Sequence, residues 1–249
     1  KDKRAENTPA DQPIPTKFGD AITADTIVMA QDEPSRKKHT VAHVIHDRAT
    51  KKTAVYPSKR KDAMSIQTAF EQFLGRTAPK FIYTDNSGEL IKACQKKGWS
   101  GVHDTSRPYH ASNNGVIERC VRKVKEGGSA ALVQSGFTLA WWNDAFEYFG
   151  FATEISDKLT PSNKTAFETR YNREFEGPHY PMGILMDFKP PDPAGKKRTH
   201  SLGAKLLPGV FVKYHLRPGG AWSGDVFIAA VHDLETKTSA SDIVLKRVH

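Results

Sequence analysis

Apolar and polar positions change period several times along the chain, and each change marks an element. Between Phe18 and Met29, Ile22 and Ala24 alternate with Thr23 and Asp25, the period of two expected of a strand. His39 to Arg48 and Lys52 to Pro57 alternate in the same way, with DRATKK between them, and predict the next two strands of an antiparallel meander. The period then lengthens. Met64, Ile66, Ala69, Phe70, Phe73 and Leu74 share one helical face, with Asp62 placed to cap the helix and Gly75 to stop it. Lys80 to Thr84 reads as a strand, Glu89 to Lys97 as a short helix ended by Gly98, and Gly101 to Thr105 as an edge strand.

From Arg107 to Lys125 the chain reads RPYHASNNGVIERCVRKVK. Asn113, Asn114 and Gly115 supply turn chemistry, after which Val116, Ile117, Val121 and Val124 recur at helical spacing. Gly127 and Gly128 are expected to interrupt or end this helix. Leu139 to Lys158 predicts a long aromatic helix whose Trp141, Trp142, Phe146, Phe149 and Phe151 suit a core or a dimer surface better than base stacking. The segment 178–204 carries FKPPDPAGKKRTH and reads as a linker. Short alternating runs across 205–249, separated by RPGG and HDLETKTSA, predict a small antiparallel barrel. Residues 1–17, with three prolines and many charges, read as a flexible arm. The domain division expected is therefore an arm at 1–17, an α/β core at 18–177, a linker at 178–204 and a β unit at 205–249.

Composition narrows the class. With 249 residues, 38% hydrophobic and 26% charged, the chain can bury a sizeable core, and no apolar run approaches the length of a membrane span. The 37 Lys and Arg exceed the 28 Asp and Glu, for a formal charge of +9, which favours a polyanionic partner. Cys94 and Cys120 are too few for a disulfide framework, and no Cys-x-x-Cys exists to build a zinc module. His39, His43 and His46 have metal-like spacing but lie in an alternating strand, where satisfied or exposed histidines are the plainer reading.

Three carboxylates carry the candidate chemistry. Asp25 lies in the strand-like DAITADTIVM, Asp85 ends the apolar run in KFIYTDNSGEL, and Glu118 opens the helix of NNGVIER. Asp20 competes with Asp25, but it precedes the apolar run, whereas a metal ligand belongs on a rigid element. Acids converging from two strands and a helix make an oxygen site for hard divalent cations, suited to two-metal phosphoryl transfer. Glu118, Arg122 and Lys125 stand at i, i+4 and i+7, so two cations share the carboxylate's face and point toward a phosphate backbone.

These motifs resemble the retroviral and retrotransposon integrases of the RNase H-like superfamily, copia-type elements in particular. Asp25 matches the family's first-strand Asp, TDNSGEL its Asp-Asn-x-Gly-Glu, and NNGVIER its Asn-Gly-Val-x-Glu-Arg; 118 − 85 gives 33 positions between the last two acids, close to the family's spacing. The likeness continues in FTLAWWNDAFEYFGFATE, LTPSNKTAFETRY and YPMGILMDFKPP and covers roughly residues 18 to 232. It implies an α/β, RNase H-like core with a mixed five-stranded sheet and flanking helices, followed by a small all-β barrel. It also implies an integrase that trims element ends and joins them to target DNA, with Asp25, Asp85 and Glu118 holding two Mg²⁺ or Mn²⁺ ions. By the same resemblance Tyr109, His110, Asn113 and Asn114 touch the DNA end, joined by Arg119, Arg122, Lys125, Lys213 and Arg217, with His215, Lys246 and Arg247 as further cations of the β unit. The partners implied are double-stranded DNA and further copies of the chain, with no membrane. The place implied is the nucleus, after assembly in cytoplasmic virus-like particles. The alternatives are a catalytically silent DNA-binding or assembly module derived from such an element, and an RNase H nuclease.

Overall fold

The computed structural model describes residues 14–30, 34–105, 115–199, 202–203 and 205–249. Strands β1 (Ile22–Val28), β2 (Val41–Asp47) and β3 (Thr53–Ser58) form the expected meander, and α1 (Ala63–Leu74) follows. Asp62 caps α1 through Ser65 N–H, and Gly75 ends it at φ +60°, a conformation that favours glycine. Then come β4 (Ile82–Thr84), α2 (Gly88–Lys96), β5 (His103–Thr105), α3 (Gly115–Ser135) and α4 (Trp142–Ser156). The sheet order is β3-β2-β1-β4-β5, with β2 antiparallel to β1 and β3, and with β4 parallel to β1 and β5. This is the mixed five-stranded sheet with flanking helices that the resemblance implies.

Strand alternation assigns the two faces of that sheet. Ile22, Ala24 and Ile45 pack with Ile66, Phe70 and Phe73 of α1 and with Leu90 and Ala93 of α2. Ile27, Val44 and Val55 pack on the other face with Ile117, Val124 and Leu132 of α3 and with Trp142 and Phe146 of α4. The period of two therefore sends Asp25, like Ile27, toward α3.

Helix α3 runs unbroken through Gly127 and Gly128, against the expected interruption. A Cβ on Gly127 would lie 2.0 Å from the Phe149 ring, and one on Gly128 would lie 2.3 Å from Phe146. The glycines thus let α3 and α4 approach closely, a packing gain that offsets the roughly 1 kcal/mol of helix propensity each costs. Trp141, Trp142, Phe146 and Phe151 are buried core residues.

After α4 come β6 (Lys158–Leu159), β7 (Lys164–Thr165), α5 (Ala166–Tyr171), β8 (Leu185–Phe188), α6 (Pro193–Lys196), β9 (Leu207–Leu216), β10 (Trp222–Ala230), α7 (Val231–Thr236) and β11 (Lys246–Val248). The C-terminal β unit is a four-stranded antiparallel sheet in the order β11-β10-β9-β8, with β11 and β8 at its edges. It takes in β8 from the segment expected to be a linker. Phe188, Phe211, Tyr214, Val226 and Ile228 of this sheet pack on Phe151 and Ile155 of α4, so α4 is apolar on both sides. Charge pairing closes the same seam. Arg36 Nε and Lys213 Nζ each lie 2.7 Å from the buried Asp144 carboxylate, Lys213 also pairs with Glu147, and Arg36 Nη1 donates to Ile243 O at 2.8 Å.

Candidate nucleic-acid-processing site

The parallel pairing of β1 with β4 runs Ile22 to Ile82, Thr23 to Tyr83 and Ala24 to Thr84. Asp25 and Asp85 are the next residues on the two chains, so they leave neighbouring strands at the same level. Asp85 ends β4 by turning the chain: its Oδ1 accepts from Ser87 N–H at 3.2 Å, and Ser87 then caps α2. Glu118 arrives from above the sheet. Ile117 is buried against Ile27 and Val44, which fixes the first turn of α3 over β1 and leaves the adjoining Glu118 exposed.

Electrostatics ties the three acids together. Burial pushes the Asp25 carboxyl above the usual range, and the charges of Asp85 and Glu118 push the same way. The Thr26 N–H on Asp25 Oδ1, at 2.7 Å, and the Lys61 ammonium pull it back. Asp20, the competitor, is committed elsewhere. It accepts from Thr16 and Lys17 N–H at 3.0 and 2.8 Å and pairs with Lys80 at 2.7 Å. Lys80 first, then these backbone donors, hold its carboxyl far below the ordinary range. Asp20 is a turn residue, whereas Asp25 takes one backbone N–H and lies in the field of two other acids and of Lys61.

The donor set is oxygen only, which suits Mg²⁺ or Mn²⁺, and a cation would relieve the like charges crowding Asp25. Among the described residues, no group of three or more His, Cys, Asp or Glu is gathered closely enough to hold a metal ion. The acids share a field without forming a closed cage. A pocket lined by Cys120, Lys123, Phe149 and Glu154 lies between α3 and α4, and it includes none of the three acids.

The remaining candidates divide. Tyr109, His110, Asn113 and Asn114 lie outside the described residues. Arg119, Arg122 and Lys125 are exposed along α3. Lys213 requires a correction. It is 6% exposed and locked to Asp144 and Glu147; burial alone would lower its pKa, but those two carboxylates raise it, so its charge serves the seam and is not offered to phosphate. Arg217 is exposed at the β9–β10 turn. Gly219 N–H of that turn donates to Gln72 O at 2.7 Å, which sets Arg217 against the C-terminal end of α1. Lys61 precedes the other end, about 18 Å away for a 12-residue helix. Lys246 pairs with Asp192 and Arg247 with Asp225, while the His215 ring meets Phe227 edge-on.

Of the three histidines, His39 leaves its buried Nδ1 without a hydrogen-bond partner among the described residues, whereas the two on β2 are satisfied locally. His43 bridges Thr26 Oγ1 and Ser65 Oγ, each at 3.0 Å, and His46 meets Thr53 Oγ1 at 2.9 Å. Lys61 was the residue the sequence reading passed over. Its signal was the basic run SKRKD leading into the α1 cap.

No family model and no curated protein sequence matches the chain. Its solved neighbours are retroviral integrase catalytic core domains. The HTLV-2 integrase core in complex with magnesium, trimeric form, has 20% identity over 62% of this chain and 97% of that one, with a TM-score of 0.48. The dimeric form of the same core has 19% identity over 61% and 97%, at 0.46. The BIV integrase core has 15% identity over 62% and 95%, at 0.45. Likeness at this level carries no functional weight, so the chemistry has to be read from the chain's own side chains.

Proposed function

We propose that this chain is a retroelement integrase of copia type, a metal-dependent polynucleotidyl transferase that processes the 3′ ends of element DNA and joins them to target DNA. The observation that carries the reading is the Asp25 carboxyl, half-buried beside a parallel strand and a helix start that each bring another acid to bear on it. Asp25, Asp85 and Glu118 would hold the Mg²⁺ or Mn²⁺ pair. Bound there, such ions supply Lewis-acid activation of water or a 3′-hydroxyl and stabilise the leaving oxygen. The chain's own part is positional. The sheet fixes Asp25 and Asp85, the buried Ile117 fixes Glu118, and Arg122 and Lys125 continue the Glu118 face toward a DNA backbone. Joining two ends calls for more than one protomer, and the reaction belongs in the nucleus, where target DNA lies.

The absence of a closed metal group among the described residues favours a second reading, a silent DNA-binding or assembly module. One assay separates the readings. Labelled element-end DNA and an RNA–DNA hybrid are incubated with the protein and Mg²⁺. The integrase reading expects strand transfer that Glu118→Gln abolishes while the circular dichroism spectrum is unchanged. Binding without turnover supports the silent module, hybrid cleavage supports an RNase H, and transfer that survives Glu118→Gln refutes the assignment.

A further inference from the structure

Four cations gather at the corner where the β1–β2 hairpin meets the β3–α1 turn. The hairpin is tied by Ser35, whose Oγ accepts from Lys37 N–H at 3.2 Å and His39 N–H at 3.1 Å. Thr40 joins it to β3: its N–H donates to Ser58 O at 3.0 Å and its Oγ1–H to Lys59 O at 2.9 Å. Ser65 Oγ then donates to Arg60 O at 3.0 Å, just before α1 begins. Three anchors therefore hold the backbone of Lys37, Lys59 and Arg60 on rigid elements. The side chains of these three residues are exposed, and Lys61 is half-buried.

The field at this corner is positive. His39 lies between the two basic segments, and burial, then Lys37, with Lys213 and Lys59 adding to it, pushes its pKa down to about 4. Asp144 and Glu147 act on Lys37, and Asp144 on His39, but both acids are engaged by Lys213, and Asp144 also by Arg36. Among the described residues none of the four corner cations forms an ion pair. Two acids of the hairpin, Asp32 and Glu33, lie outside the described residues. On the far sheet, by contrast, Lys246 and Arg247 are paired. The corner reaches the acids through charge: Lys61, which directly precedes the α1 cap Asp62, acts on Asp25.

We propose that Lys37, Lys59, Arg60 and Lys61 form a phosphate-backbone track that carries double-stranded DNA from the β1–β2 hairpin to the Asp25 side of the acidic site. The choice of DNA as occupant rests on the function proposed above. Cations with no ion-pair partner among the described residues, three of them exposed, neutralise phosphates without prior loss of such a partner, and these contacts position a duplex without reading its sequence.

The test is binding of an arbitrary 30-bp duplex, about 100 Å long, in EDTA, followed by fluorescence anisotropy across a salt series. A Lys37→Gln/Lys59→Gln/Arg60→Gln triple variant is compared with Lys158→Gln/Lys164→Gln/Lys237→Gln, which removes the same charge from exposed positions elsewhere. The slope of log K against log salt should become shallower by roughly 2.7, or 0.9 per lost phosphate contact, in the corner variant and stay near wild type in the control. Thermal melting checks that both variants fold. Single substitutions, each costing about 0.9 of slope, serve if the corner triple does not fold. Equal losses in both triples, or wild-type binding by the corner triple, would each overturn the proposal. The assay contains no metal and no turnover, so failure of strand transfer in the wild type would break the functional reading and leave this result standing.

Discussion

Two aspartates in this protein, Asp144 buried and Asp25 half-buried, move in opposite directions. Asp144 sits in the seam between α4 and the C-terminal sheet, where burial would raise its pKa but Lys213 and Arg36 outweigh that and hold it low. Asp25 sits on β1, where burial raises it and its nearest acidic neighbours raise it further. The seam sets Asp144 against opposite charges, as Lys52 and Glu154 also pair with side chains 1% exposed. The acid site is left with like charges that one backbone N–H and the Lys61 charge only partly offset. A fold that compensates its charges so fully in one place and not in another marks the second as the place that awaits something from outside.

The largest test of this contrast is on the seam. Asp144→Ala takes from Arg36 its carboxylate and leaves Lys213 with Glu147 alone, and should cost about 3–5 kcal/mol in urea unfolding; a cost under 1 kcal/mol would mean that the pairs do not hold the sheet.

Acid should act through the strand histidines before it reaches the seam. His46 is pushed down to about 3 by burial and then by Lys51 and Arg48, so the unfolded chain takes up its proton first. The stability it supports is fully present above pH 6.5 and falls as pH drops, by about 3 kcal/mol at pH 4.5. His46→Gln should flatten that slope. The Asp144 contribution has the same sign but is lost only below the ordinary carboxylate range, so the two losses should separate in a pH series.

The smallest effect is the sharpest. The Asp25 pKa is raised in the folded protein, so its ionised form opposes folding above that pKa and not below the unfolded value. Without divalent cations at pH 7, Asp25→Asn should raise the melting temperature, and the gain should vanish in acid. Mg²⁺ should raise the melting temperature of the wild type and not of the variant. A variant that melts lower than wild type at pH 7 would put Asp25 in the same class as Asp144.

Much of this was legible in the residues. Ile22, Ala24 and Asp25 alternate as strand positions must, Asp62 and Gly75 bracket α1 by cap chemistry, and the TDNSGEL and NNGVIER motifs mark Asp85 and Glu118. Those features are local, set by backbone conformation and hydrogen bonding within a few residues, so the order of letters determines them.

What the folded chain alone decided is long-range. Gly127 and Gly128 look like helix breakers until the rings of Phe149 and Phe146 are found against them, and Lys213 looks like a DNA contact until Asp144 and Glu147 close on it from a helix more than sixty positions away. Lys61 came into view only when α1 was laid beside β1. A side chain's charge and size are written in the sequence, but what compensates the charge or fills the space is set by which distant segment packs there.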